Sequence, residues 1–105
     1  MDERVKKAVD KYLKIKGYAG FDEEINGFMV YEDRGTTVFV RALWDEEVFK
    51  SFEPEDLRSE FEAAIAQWAA EYGGDDDVDL RCDEVSFLII NEGRAVLRHL
   101  VNVFG

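Results

Sequence analysis

The chain has 105 residues, the size of one domain, and 47% of them are hydrophobic, which suffices for a packed core. Its 13 Lys and Arg residues and 24 Asp and Glu residues give a net charge of −11, which opposes binding to the phosphate backbone of nucleic acids. No segment approaches the ~20 apolar residues that span a bilayer, and the charged first residues lead into no apolar run. We therefore expect a cytoplasmic protein with no membrane contact and no strong nucleic-acid binding.

The first segment, residues 2–16, predicts an amphipathic helix. Apolar side chains recur at helical spacing, and five lysines occupy the remaining positions. Gly17 suits the position that follows the end of a helix. The lysines form the densest basic stretch of the chain, and we interpret them as a solvated helix face.

The next part of the chain predicts a β-hairpin. Residues 18–26 are acidic and weakly patterned, which fits a short strand or a loop. Residues 28–31 form an apolar run, and residues 37–43 are β-branched and aromatic, so the latter predict a strand. Residues 32–35 predict the turn between these two runs, with Gly35 able to adopt a positive φ.

Pro54 predicts the start of a second helix that runs to about Tyr72, because Glu and Asp follow the proline and Gly73 and Gly74 follow the tyrosine. One stripe of this helix is apolar: Leu57, Phe61, Ala64, Ile65, Trp68 and Tyr72. The acidic residues 45–47 and 75–77 predict solvated loops. The second of these lacks the alternating ligand spacing of a calcium-binding loop.

Residues 78–90 predict a long strand whose final apolar run, residues 87–90, is expected to be buried on both faces. Residues 95–104 fit either a strand or a helix, and their valines and the turn before them favour a strand paired with residues 80–90. The predicted fold is α/β (α+β), a single domain over residues 1–105. Two main helices flank a mixed central sheet, in which residues 38–42 and 85–89 are neighbours.

Motifs for catalysis are scarce. The chain has no Gly-rich phosphate loop, no Cys/His metal cluster and no serine nucleophile motif, so we expect no cofactor. Cys82 is the single cysteine and excludes an internal disulfide, and its apolar setting predicts a buried thiol rather than a catalytic pair with His99. His99 itself predicts a structural histidine.

Four stretches of the chain occur in the order and spacing of the elements of a known family. They are residues 8–18 (AVDKYLKIKGY), residues 37–43 (TVFVRAL), residues 61–72, and residues 81–90 (RCDEVSFLII) with the following residues 99–104 (HLVNVF). Together they resemble the opening helix, a central strand, the central helix and the closing strands of the YraN-like group of the restriction-endonuclease-like, or PD-(D/E)XK, fold. The resemblance implies a restriction-endonuclease-like core.

The resemblance also implies where a nuclease site would lie. Nucleases of this fold use an acid at the end of the second strand, and an acid and a lysine two residues apart on the third. The acids hold Mg²⁺, and the metal and the lysine activate water and stabilise the phosphate. The corresponding positions in this chain are Asn26 or Gly27 for the first acid, and Arg41 and Leu43 for the acid and the lysine. None is a carboxylate, so the resemblance implies a degenerate site without catalytic or metal-binding residues.

The leading hypothesis is a catalytically inactive relative of this fold that acts through an unknown protein partner, and self-association is also open. A first alternative is a metal-dependent nuclease whose ligands have migrated, for example to Glu24, Glu32 or Asp45. A second is an acidic interaction module that mimics the charge of nucleic acid. A carboxylate trio around a pocket would favour the enzyme, a smooth acidic face the mimic, and an exposed apolar patch a partner interface.

Overall fold

The structure is a computed structural model that describes residues 3–44, 54–72, 79–91 and 94–104. In chain order, the helices and strands are α1 (Glu3–Ile15), β1 (Ala19–Ile25), β2 (Phe28–Asp33), β3 (Thr36–Trp44), α2 (Pro54–Tyr72), β4 (Asp79–Asn91) and β5 (Arg94–Leu100). Neither described helix is long and apolar enough to cross a membrane.

The described strands form one mixed sheet in the order β1-β2-β3-β4-β5. Neighbouring strands are antiparallel except β3 and β4, which are parallel and pair Val38 with Arg81 and Ala42 with Val85. A parallel pair needs a crossover connection, and α2 lies in that connection. This arrangement confirms the predicted mixed sheet with two flanking helices. The two predicted strands are neighbours, although residues 38–42 pair with residues 81–85 rather than with residues 85–89.

Helix α1 ends in a Schellman motif. Gly17 has φ +98°, its N–H donates to the Lys14 carbonyl at 3.1 Å, and the Tyr18 N–H donates to the Leu13 carbonyl at 3.0 Å. Gly17 is thus the left-handed residue that ends the helix, as the sequence predicts. The same turn places Leu13 and Tyr18 together in the core.

The β1–β2 hairpin and the β2–β3 hairpin both have two-residue turns. Asn26 and Gly27 have φ +50° and +84°, and Arg34 and Gly35 have φ +51° and +86°. Two successive positive φ values define the turn whose twist matches that of paired strands. The predicted turn at residues 32–35 is therefore too long, because Asp33 still pairs with Thr36 in the ladder.

The sheet separates two hydrophobic cores. The core on the face covered by α1 contains Val5, Val9, Leu13, Tyr18, Met29, Tyr31, Val38, Val40, Ala42 and Val85. The core on the face covered by α2 contains Ile25, Phe28, Val30, Phe39, Leu57, Ala64 and Cys82, with Phe61, Ile65, Trp68, Val103 and Phe104 partly buried against it. Because side chains alternate along a strand, neighbouring strand residues belong to opposite faces.

Several sequence predictions are resolved by this arrangement. Residues 19–25 form a strand rather than a loop, and its pairing shifts between Gly20 and Glu24. Residues 95–100 are strand, as favoured, but the strand ends at Leu100 and residues 101–104 form a turn. In the run 87–90 the described side chain is that of Phe87, which is half-buried against the α1-side core. The predicted acidic loops at 45–47 and 75–77 lie outside the described residues.

Candidate functional site

The four positions singled out by the family resemblance line one cleft of about 330 Å³ on the α2 face. Its described walls are Asn26, Gly27, Phe28, Arg41, Ala42, Leu43 and Glu60. The β1–β2 turn supplies Asn26 and Gly27, β3 supplies Arg41 and Leu43, and α2 contributes Glu60. The fold thus brings together residues that are up to 34 positions apart in sequence.

Arg41 and Glu60 dominate the charge of this cleft. The guanidinium of Arg41 forms an ion pair with the Glu60 carboxylate, and the two side chains are 21% and 48% exposed. Asn26 Nδ2 donates to the Glu60 backbone carbonyl at 2.9 Å, which ties the turn to the helix. Leu43 is buried. In the described part of the chain, the cleft therefore lies where the β1–β2 turn, β3 and α2 meet, and Arg41 and Glu60 are its charged residues.

The residues of the cleft do not fit Mg²⁺. A hard divalent cation takes oxygen ligands, usually from carboxylates. Glu60 is the single carboxylate among the described lining residues, and Arg41 already neutralises it. Nor do the described residues contain any group of three His, Cys, Asp or Glu side chains placed to hold a metal ion.

The acids considered as migrated ligands lie elsewhere. Glu24 pairs with Lys6 of α1 and so points to the α1 face, away from the cleft. Glu32 lies opposite Ala19 and Glu24 opposite Met29, at the two ends of the β1–β2 ladder. Along β2 these two levels are three residues, or about 10 Å, apart. Because Tyr31 belongs to the α1-side core, Glu32 lies on the opposite face of the sheet from Glu24. Asp45 lies outside the described residues.

A second polar cluster lies on the α1 face, and its centre is Asp83, which is fully buried. Its carboxylate accepts five hydrogen bonds. Arg81 donates two, from Nε at 2.8 Å and Nη2 at 3.0 Å, Tyr18 Oη donates at 2.8 Å, and the Asn102 N–H donates at 2.9 Å. The fifth partner is His99 Nε2 at 2.9 Å. We call these five residues, with Tyr12 and Asp33, the Asp83 network.

Asp83 is held in its ionised form. Burial alone would raise the pKa of its carboxyl, but the hydrogen bonds from Arg81, Asn102, His99 and Tyr18 outweigh burial, so the pKa lies below the ordinary value of 3.8. Arg81 also pairs with Asp33 at 3.2 Å. One guanidinium thus faces two carboxylates within hydrogen-bonding reach. It offsets the charge of the buried Asp83, while Asp33 is 21% exposed and keeps access to water.

His99 links Asp83 to Tyr12. Because an ionised carboxylate only accepts hydrogen bonds, His99 Nε2 donates to Asp83, and Nδ1 lies 3.0 Å from Tyr12 Oη. Asp83, His99 and Tyr12 thus have the connectivity of a carboxylate–histidine–hydroxyl triad. However, burial and the charge of Asp83 raise the pKa of Tyr12, which disfavours a phenolate nucleophile. His99 is held by hydrogen bonds to Asp83 and Tyr12 and by ring contacts with Tyr12 and Tyr18. Its structural role stays a prediction.

Cys82 lies on the opposite face of β4. It belongs to the α2-side core, whereas His99 contacts Asp83 on the α1 side, so the two cannot form a catalytic pair. Burial, with a smaller contribution from Asp83 and Glu84, raises the pKa of the Cys82 thiol to about 12. Cys82 is a packed, protonated thiol, as the sequence predicts.

Sequence reasoning missed the Asp83 network as a cluster. The sequence did contain one indication of the network. Arg81 and Asp83 occupy alternate positions along the strand, as do Val85 and Phe87, so all four lie on one face of it. Charged residues on a buried face require partners. From the sequence, Tyr18 was identified only as the residue that follows Gly17 at the end of the first helix. Its connection to Asp83 spans 65 positions of sequence, which local patterns do not reveal.

Comparison with known proteins adds no relative to this picture. No protein-family model matches the chain, and no curated protein matches its sequence significantly.

Proposed function

We propose that this protein is a catalytically inactive relative of the restriction-endonuclease-like fold and that it acts by binding another protein. Two helices on opposite faces of a mixed sheet agree with the core that the resemblance implies.

The Arg41–Glu60 ion pair is the observation that carries the proposal. A nuclease of this fold needs an acid at the position of Arg41 and a lysine at Leu43. Arg41 instead presents a cation that cannot bind Mg²⁺ and occupies the nearby carboxylate, and Leu43 supplies neither charge nor a hydrogen bond. Among the described residues that line this cleft there is no set of ligands for metal-assisted phosphodiester hydrolysis.

Two further features support binding to a protein. The net charge of −11 opposes a phosphate backbone as partner. Strand β5 and the turn after it also expose three large apolar side chains, with Val96 47%, Leu100 36% and Val101 55% accessible. Apolar exposure of this kind is typical of a partner interface rather than of a smooth acidic surface that imitates nucleic acid.

A cleavage assay tests the absence of catalysis. The protein is incubated with single-stranded, duplex and branched DNA at low salt with Mg²⁺ or Mn²⁺, and calorimetry measures metal binding. We expect neither cleavage nor a saturable metal isotherm. Metal-dependent cleavage that disappears in Glu24→Gln or Glu32→Gln would establish the enzyme with migrated ligands and overturn the proposal.

A rebuilt cleft tests the degenerate-site geometry. The triple variant Asn26→Asp, Arg41→Glu, Leu43→Lys adds two carboxylates beside Glu60, and Asp tolerates the positive φ of residue 26. We expect this variant, but not the wild type, to bind Mn²⁺ in calorimetry, and Glu60→Gln in the rebuilt background to weaken that binding. A folded triple variant without Mn²⁺ affinity would mean that the cleft does not have the geometry of a lost metal site.

A further inference from the structure

Strand β5 is one edge of the described sheet, and β4 is its single neighbour there. Its ladder with β4 is regular from Ile89–Ala95 to Glu84–Leu100. The outer side of a regular edge strand offers alternate N–H and C=O groups to another extended chain. The opposite edge differs, because β1 has a pairing irregularity between Gly20 and Glu24, and such irregularities disfavour strand addition.

The side chains of β5 divide between the two faces of the sheet. Leu97 packs against the α1-side core, and His99 bonds Asp83 on that face. Val96, Arg98 and Leu100 alternate with them and are exposed on the other face. An added strand would therefore meet an apolar–cationic–apolar row next to the edge.

The charge of this segment is opposite to that of the chain. Residues 94–104 contain two arginines, one histidine and no carboxylate, although the whole chain carries 24 acids. Arg98 is exposed, faces Ser86 across the ladder, and forms no ion pair with the described part of the chain. By contrast, Arg41 and Arg81 are both paired with carboxylates.

We propose that β5 is a docking edge for an extended protein segment in which apolar and acidic residues alternate. Main-chain hydrogen bonds to β5 would supply the pairing, as in recognition by strand addition. Carboxylates on the added strand would face Arg98, and its apolar residues would cover Val96 and Leu100. This inference rests on the proposed protein-binding function and names its surface and the chemistry of its partner.

Binding of two capped peptides of about eight residues, the length of a typical strand, tests the inference. One peptide alternates Val and Glu, and the other alternates Val and Lys. Fluorescence anisotropy of labelled peptides gives the affinities at about 0.15 M salt, where charges more than ~8 Å apart are screened and the net charge of the chain has little effect. NMR shifts of the wild-type amides locate the site. We expect the Val–Glu peptide to bind about two- to fivefold tighter, the range of an exposed charge pair, with shifts concentrated on residues 94–101.

Charge reversal supplies the matched comparison. Arg98→Glu should reverse the peptide preference, while Arg34→Glu, at an exposed turn remote from β5 in the sheet order, should leave it unchanged. Equal binding of both peptides would overturn the inference and would indicate that Arg98 instead prevents the edge strand from pairing with other chains. Shifts confined to other strands, or sedimentation showing that β5 is covered by a second copy of the chain, would overturn it as well. None of these outcomes depends on metal binding or cleavage, so failure here is separable from failure of the inactive-nuclease proposal.

Discussion

The two polar clusters of this protein lie on opposite faces of one sheet and contain the same pair of charge types. On the α1 face, Arg81 is 17% exposed and Asp83 is fully buried, and the carboxylate accepts five hydrogen bonds. On the α2 face, Arg41 and Glu60 pair at the rim of a cleft, with Glu60 half exposed. Burial, rather than the identity of the charges, therefore decides how strongly the stability of the fold depends on each pair.

Burial makes the Asp83 network indispensable once it has formed. Within the described residues no buried side-chain nitrogen or oxygen lacks a hydrogen-bond partner. Removing one member would leave the others desolvated and unpaired. At the cleft, water can replace either partner of the Arg41–Glu60 pair, so the same chemical loss should have a small effect there.

The largest expected effect is that of Asp83→Asn. The variant removes the charge that Arg81 faces in the interior, and breaking a buried pair in this way costs about 3–5 kcal/mol. Urea denaturation gives the free energy of unfolding. The control is Asp79→Asn at an exposed position of β4, which should change it by less than about 0.5 kcal/mol. A loss under about 1 kcal/mol for Asp83→Asn would remove the contrast between the clusters.

Acid should reduce the difference in unfolding free energy between the wild type and Asp83→Asn. The pKa of Asp83 is lower in the folded protein than in the unfolded chain. Its stabilisation is therefore complete above the unfolded value of about 3.9 and is lost as the pH falls through the folded pKa. We expect the difference in unfolding free energy between wild type and Asp83→Asn to be constant near neutral pH and to shrink below about pH 4. A difference that stays constant into strong acid would contradict an ionised Asp83.

A smaller effect is expected for Tyr18→Phe. The change removes the hydroxyl that donates to Asp83 at 2.8 Å and accepts from Arg81 Nη2 at 2.6 Å, and it keeps the ring in the core. A hydrogen bond to a charged group contributes about 1.5–3 kcal/mol. Four donors remain, so we expect a loss of about 1–2 kcal/mol in urea denaturation. Tyr31→Phe is the matched control, since its hydroxyl donates to the partly exposed Asp10 at 2.7 Å, and its loss should be smaller.

The smallest effect belongs to the cleft. Glu60→Gln removes the charge that Arg41 faces but leaves both side chains access to water. We expect the free energy of unfolding to change by less than about 1 kcal/mol, the range of exposed ion pairs. A loss comparable to that of Asp83→Asn would mean that the cleft pair stabilises the fold as strongly as the buried network does.

Regular local patterns made most of the elements predictable. The period of apolar residues marked α1 and α2, and Gly17 marked the end of the first helix. Strand β1 was harder to predict, because acids interrupt its alternation and its pairing shifts between Gly20 and Glu24. The end of β5 was also missed, because the valines beyond Leu100 retain a strand-like pattern after the chain has turned at Asn102, where φ is +56°.

The candidate site was predictable only in part. Asn26, Gly27, Arg41 and Leu43 were identified through the family resemblance, and they line one cleft. Glu60 could not be assigned to the cleft in advance, because its approach depends on how α2 packs across β1 and β3. The pairing with Arg41 places a cation beside the Glu60 carboxylate, which neutralises its charge.

The sequence by itself determined the order of helices and strands, the glycine that ends α1, and the residues that favour the tight turns, because each depends on neighbours within a few positions. Only the tertiary structure decided the Asp83 network and the exposed β5 edge. The network joins Arg81 and Asp83 of β4 to His99 of β5 and to Tyr18, which follows α1. It therefore depends on the antiparallel register of β4 and β5 and on the packing of α1 against the sheet. Register sets which side chains share a buried face, and burial then requires those polar groups to satisfy one another.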